Sequence, residues 1–250
     1  MSIEIIQNNN ISKAWAATFL KSYDMPFNSS NTIITVINSF EDTKELEDQA
    51  IKELLDCKLK SYGLEPIENT AFTIFPKSYW NKNKDMYFLF RRFLRIYPLL
   101  KKYRKNRLGT YFHRMINYYE DVSIRGNNQL EHVINTYKMG NHRHSALQAI
   151  IFSPNKDHCD AQRRDFPCLH QVSFTPLEIN GIIGLSVCSY YPTQLIFERA
   201  YGNYLGLFHL GIFMAKEMGI KLFEVKNIAI KAKLSFHTKT ELKDLYLKLK

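Results

Sequence analysis

The order of elements along the chain predicts an α+β fold, and three observations carry that prediction. Residues 11–20 (ISKAWAATFL) place apolar side chains at helical spacing, and an apolar, β-branched run (TIITVI) follows at 32–37. Residues 172–174 and 182–191 are again rich in strand formers. Residues 204–215 are almost all apolar or small, a pattern that suits a helix buried on every side and is too short to cross a bilayer.

Composition bounds the function. With 250 residues and 45% hydrophobic content the chain can bury one large core, so a single domain over 1–250 is expected. The 34 Lys and Arg against 24 Asp and Glu give a formal net charge of +10, which favours anionic partners. The four cysteines (Cys57, Cys159, Cys168 and Cys188) are irregularly spaced without CxxC pairs. That spacing suggests neither a metal site nor a disulfide framework, and it fits a reducing compartment. The N-terminus shows no basic-then-apolar targeting pattern and no run long enough to span a bilayer, so a soluble, cytoplasmic protein without a membrane partner is expected.

In chain order, the helix at 11–20 is followed by a break at Ser29, Ser30 and Asn31, then the strand at 32–37. Residues 41–60 read as a solvated helix whose Cys57 is structural. Residues 79–107 (YWNKNKDMYFLFRRFLRIYPLLKKYRKNR) are dense in aromatic and basic side chains. We read them as a helical wall with snorkelling cations rather than a nucleic-acid surface, because the apolar positions recur at helical spacing and Pro98 interrupts any continuous groove-binding helix. Nucleic acid is accordingly not an expected partner. A helix at 129–134, a strand at 147–152 ending at Pro154, and strands at 172–174 and 182–191 joined by a connection at 176–181 complete the reading.

Cys168 stands in RRDFPCLHQ, preceded by Pro167 and by Arg163 and Arg164. Local positive charge favours the thiolate, which is the nucleophilic form, and a loop keeps it accessible. The same pattern also describes an inert cysteine beside a solvated basic turn, and the local sequence leaves both readings open.

The ordered features around Cys168 resemble the thymidylate synthase and pyrimidine hydroxymethylase superfamily. LGTYFHR is similar to that family's LG-x-x-Y-G segment, NQLEHVI to its DQI-x-x-VI helix, and NHRHSALQAIIFSPNKD to its SRR strand with the downstream W-x-P-x-x-D. FPCLH falls on the nucleophile loop, and YYPTQLIFERAYGNYLGLFHLGIFMA on the YQRS-to-asparagine block and buried helix. The resemblance covers 108–219, while 1–107 is divergent. It implies a large mixed β-sheet flanked by helices, with a sheet face at a homodimer interface. It also implies thiolate addition to carbon 6 of a pyrimidine nucleotide and one-carbon transfer to carbon 5, with 5,10-methylenetetrahydrofolate as a candidate donor.

The resemblance assigns roles residue by residue. Cys168 becomes the nucleophile and Tyr111 a residue ordering water or cofactor. Asn203 reads the uracil edge through its amide; the local alternative is a helix-start asparagine capping backbone N–H groups. Arg143 reaches the partner subunit's substrate anion, since a guanidinium fits a phosphate in two-pronged fashion. Where the family has Tyr-Gln-Arg-Ser, this chain has Tyr190, Tyr191, Pro192 and Thr193, so Tyr191 replaces a supporting glutamine and Pro192 a phosphate-binding arginine. Arg163 and Arg164 are candidate replacements. Leu195 stands at the aspartate that holds the pterin, and Lys233 and Ser235 at the ribose-binding H-x-Y pair. These departures point to a divergent transferase acting on a pyrimidine or pyrimidine-like ring. The alternatives are thiol addition to a different substrate without folate, or a non-catalytic dimer with a basic aromatic surface.

Overall fold

Alternation builds the sheet. In Thr32–Asn38 every second residue is buried, beginning with Ile33, and this period-two pattern leaves one face for the core and one for another surface. The computed structural model describes residues 3–26, 31–38, 46–119, 127–140, 143–158 and 166–250. Its strands are β1 (Ile3–Asn8), β2 (Thr32–Asn38), β3 (Gln148–Ile150), β4 (Gln171–Ile179), β5 (Ile182–Leu195) and β6 (Lys221–Lys233). They form a six-stranded sheet in the order β1-β2-β6-β5-β4-β3. The sheet is mixed: β1 with β2 and β5 with β6 are parallel, and the remaining pairs antiparallel.

The helices are α1 (Ile11–Asp24), α2 (Gln49–Ser61), α3 (Ile67–Ile74), α4 (Met86–Lys102), α5 (Tyr111–Ile116), α6 (Gln129–Met139), α7 (Pro154–Asp157), α8 (Tyr201–Met218) and α9 (Lys243–Leu249). Five of them start where the sequence supplies a side-chain acceptor for an otherwise unsatisfied backbone N–H. Asn10, Asp48, Asp85, Thr110 and Asn128 each accept from the amide three residues on. Among the described residues no helix is long and apolar enough to cross a membrane.

α8 is the central rod. Its first half packs with Trp15 and Phe19 of α1, its second half with Phe93 of α4 and Phe112 of α5. Contact with α3 is so close that a Cβ on Gly202 would lie 2.5 Å from Thr70 Cβ and 2.8 Å from the Ile67 carbonyl oxygen. Glycine is required there by packing.

The opposite sheet face is largely uncovered. One row crosses all six strands through Ile5, Ile34, Ile228, Tyr190, Gln171 and Ile150. Ile5 is 69% exposed, Tyr190 41% and Ile150 36%.

Several expectations are corrected. Residues 46–48 precede α2 instead of belonging to it, because Asp48 is its cap; 41–45 and Ser29–Ser30 lie outside the described residues. Cys57, expected to be structural, is exposed on α2. Pro98 does not interrupt α4, which continues to Lys102. Leu94, whose carbonyl Pro98 deprives of a partner, and Pro98 itself are both exposed, so this break in the ladder falls on the solvent side of the helix. The connection at 176–181 is shorter than expected: β4 runs through Pro176 to Ile179, and Asn180 and Gly181, both with positive φ, make a tight hairpin turn. β5 likewise continues through Pro192, which lies beyond Tyr190, the last residue paired with β4.

Candidate functional site

The segment carrying Cys168 is held from α5. Gly109 adopts φ 120°, open to glycine and strained for other residues, and a Cβ there would sit 3.4 Å from the Phe166 ring. This turn lets Thr110 cap α5 and sets Tyr111 at the first helical position. The Tyr111 ring lies against Phe166, with centroids 5.0 Å apart, and its hydroxyl accepts the Cys168 backbone N–H at 3.3 Å. Burial of the hydroxyl end, followed by the nearby Cys168, pushes the phenol well above its ordinary value, so it stays protonated at neutral pH.

Tyr191 on β5 is fully buried, and among the described residues its hydroxyl has no hydrogen-bond partner. Burial raises its pKa, and Tyr111 and Cys168 add to the shift, which places the three groups in one electrostatic neighbourhood. A buried hydroxyl left unpaired costs about 1–3 kcal/mol, so its position calls for a partner.

Asn203 is 4% exposed in the first turn of α8. The capping alternative does not hold: the cap position is Ala200, and no side chain caps this helix. On the helix Asn203 shares a side with Leu207, Leu210 and Met214, which belong to the cluster that holds Tyr191 and Leu169 and against which Tyr111 and Cys168 pack.

Three further groups belong here that sequence reasoning missed. Arg199 lies in a π-helical turn, Ile196–Ala200, that leads into α8, a feature frequent at functional sites. It donates to Thr70 Oγ1 at 3.2 Å, and its positive charge acts on both Tyr111 and Glu65. No motif pointed to Arg199. His170 stacks on Phe152 at 4.6 Å and bonds the Pro167 carbonyl, and burial lowers its pKa against a smaller opposing pull from Asp157. Arg114 and Asp157 pair with each other beneath the loop. Both lay inside quoted motifs, LGTYFHR and SPNKD, where their acid–base complementarity was the available signal.

The remaining predicted residues are not brought in. Arg143 is exposed ahead of the turn at 144–146, and Arg163 and Arg164 lie outside the described residues, as does Cys159. At the position of the ribose pair, Ser235 donates to Glu198 at 2.7 Å and Lys233 lies 4.0 Å from the centroid of the Phe236 ring. Among the described residues no group of His, Cys, Asp and Glu stands ready to hold a metal ion. Comparison with protein-family models returns no match, and neither does comparison with curated proteins.

Proposed function

We propose that the chain is a divergent cysteine-dependent transferase acting at carbon 5 of a pyrimidine nucleotide or pyrimidine-like ring. The observation that carries this reading is the junction of Cys168, Tyr111 and Tyr191, with a buried hydroxyl on Tyr191 that lacks a partner. The Cys168 thiolate adds to carbon 6 and the ring electron pair moves to carbon 5, which bonds an electrophilic one-carbon unit. Loss of the carbon 5 proton then expels the thiolate and restores the ring, dividing one hard substitution into easier steps. Tyr111 and Tyr191, held neutral by burial, are O–H donors for the developing negative charge. Asn203 presents its amide to the ring edge, donating to O4 and accepting from N3–H.

Arg199 supplies the anion contact that Pro192 does not. Its positive charge acts on Tyr111, which bonds the Cys168 backbone, and its guanidinium retains donors beyond Thr70. Arg143, on the surface, is assigned to the partner subunit's anion. The open sheet face, with its row of Ile5, Ile34, Ile228 and Tyr190, is the proposed homodimer interface.

Methylenetetrahydrofolate fits poorly. Leu195, at the end of β5, is apolar and half-buried where a carboxylate would anchor the pterin, so no step is routed through folate. That same residue favours a second reading, thiol addition to another electrophilic ring without folate.

Two measurements test the proposal. Intact-mass spectrometry after incubation with a pyrimidine nucleotide panel should show an adduct on wild type and none on Cys168→Ser. Tritium should be released from a ring labelled at carbon 5. Absence of both across the panel would sink the pyrimidine reading, and tight folate binding by calorimetry would remove the second one.

A further inference from the structure

The excess charge of this protein is confined to one stretch. Residues 77–107 hold 11 of the 34 Lys and Arg and one of the 24 Asp and Glu, so the other 219 residues carry 23 of each sign. The whole net charge of +10 therefore belongs to α4 and its flanks. We propose that the solvent face of α4 is a docking surface for nucleic acid, bound through its phosphate backbone.

The geometry presents this charge as a continuous face. α4 buries Met86, Leu89, Phe90, Phe93 and Tyr97, which turns Arg91, Arg95 and Lys102 outward. At about 100° per residue these three fall within a sector of about 40°. Arg91, Arg92 and Arg95 line one shallow groove with Phe88. Arg92 lies over the Tyr79 ring at 4.9 Å, which orients its fork. Because α4 passes through Pro98 unbroken, the face extends to Lys101 and Lys102 and continues into the exposed Arg104, Lys105 and Arg107. Its 17 residues span about 25 Å at 1.5 Å per residue, enough to follow several consecutive phosphates.

Nothing among the described residues accounts for the cluster. Among the described residues Arg91, Arg92 and Arg95 have no carboxylate partner within ion-pair distance. The acids nearby sit at the two ends, Glu131 bonded by the Tyr87 hydroxyl at 2.9 Å and Glu65 by that of Tyr103 at 2.7 Å. Like charges four residues apart on a helix, as Arg91 and Arg95 are, destabilise it slightly. Guanidinium groups match phosphate oxygens in two-pronged geometry. A membrane surface is disfavoured, because an interfacial helix inserts its apolar side and the apolar side of α4 is already committed to the core. The helix carries no Asn or Gln, and the proposed contacts of its cations are to phosphates, which carry no sequence information.

Fluorescence anisotropy with the full chain tests this, using a 20-base-pair DNA duplex of about two helical turns, the matching single strand, and vesicles containing phosphatidylserine. Binding to duplex or single strand is expected, with log K falling against log salt by about 0.9 per duplex phosphate engaged, so a slope of about −3 or steeper. Arg91→Glu/Arg92→Glu/Arg95→Glu should weaken binding at least about tenfold at low salt and flatten that slope by about 3. Arg91→Lys/Arg95→Lys, which keeps the charge, should bind within a few-fold of wild type and guards against misfolding, as does an unchanged circular dichroism spectrum. Binding to vesicles but to neither oligonucleotide overturns the proposal, as does oligonucleotide binding that the charge reversal leaves intact. The outcome is independent of whether Cys168 is reactive.

Discussion

Arg114 and Asp157 form a buried, two-pronged ion pair, with guanidinium-to-carboxylate distances of 2.6 and 2.9 Å. Arg114 also donates to the Ile151 carbonyl and lies over the Phe166 ring at 5.0 Å, while Asp157 accepts the Ser153 N–H. The pair thus joins the helix that carries Tyr111 to the chain entering Cys168. Removing one partner leaves an uncompensated buried charge, so Arg114→Met should cost about 3–5 kcal/mol in urea unfolding. Arg114→Met/Asp157→Leu should recover much of that loss. Equal destabilisation by the single and double substitutions would show that the pair is not coupled.

The contact between α3 and α8 gives a second prediction. Alanine favours a helix over glycine by about 1 kcal/mol, yet Gly202→Ala should lower stability by about 1–3 kcal/mol through overpacking against Thr70 and the Ile67 carbonyl. A stability gain in denaturant titration would mean that the two helices separate freely.

His209 on α8 provides a pH test. It is 7% exposed, and burial, then Lys77 and Lys52, lower its pKa from 6.5 to about 3. Glu68 and Lys77 line the cleft it faces. The folded state holds this imidazole neutral while the unfolded chain protonates it, so its contribution is full above pH 6.5 and is lost as pH falls toward 3. Wild type should lose about 1.4 kcal/mol per pH unit from this group in that window, and His209→Gln should show a correspondingly shallower decline. Parallel unfolding curves of the two proteins between pH 4 and 6.5 would contradict the burial of a neutral imidazole.

The open sheet face predicts self-association. Ile34 and Tyr190 lie in the row that crosses every strand, and Ile34→Asp/Tyr190→Asp places carboxylates there without disturbing the face that packs on α1 and α8. Sedimentation equilibrium should give a dimer for wild type and a folded monomer for the variant. A monomeric wild type at micromolar concentration would refute the interface.

Sequence pattern carried the α+β class, α1, β2 and the buried α8, because burial on one face or on all faces is written directly into local periodicity. The fold brings Tyr111 to the Cys168 backbone and Tyr191 into the cluster on which both pack, a neighbourhood made by contacts between α5, β5 and the chain before β4. Arg199 was illegible: what makes it part of the site is its approach to Tyr111 and Thr70, residues 88 and 129 positions earlier in the chain. Pro98 and Pro176 were misread for a related reason. A proline ends an element only where its missing N–H is needed, and solvent or a strand's free side removes that need.

Asn203 gives the sharpest test of substrate class. It is 4% exposed at the start of α8, and its amide both donates and accepts, which complements the O4 and N3–H of uracil. A carboxylate of the same shape only accepts, and it complements the exocyclic amine of cytosine together with a protonated N3. Asn203→Asp should therefore lower Cys168 adduct formation with uracil nucleotides by about 10–100-fold, the scale of one buried polar mismatch of 1.5–3 kcal/mol, while raising the relative rate with cytosine nucleotides. Asn203→Leu should depress both, because it removes the amide without offering a replacement. The three proteins must first be shown to melt within a few degrees of one another, since the helix start is packed against α3. If the aspartate variant loses activity toward both rings in the same proportion as the leucine variant, Asn203 serves the packing of α8 and does not read the ring.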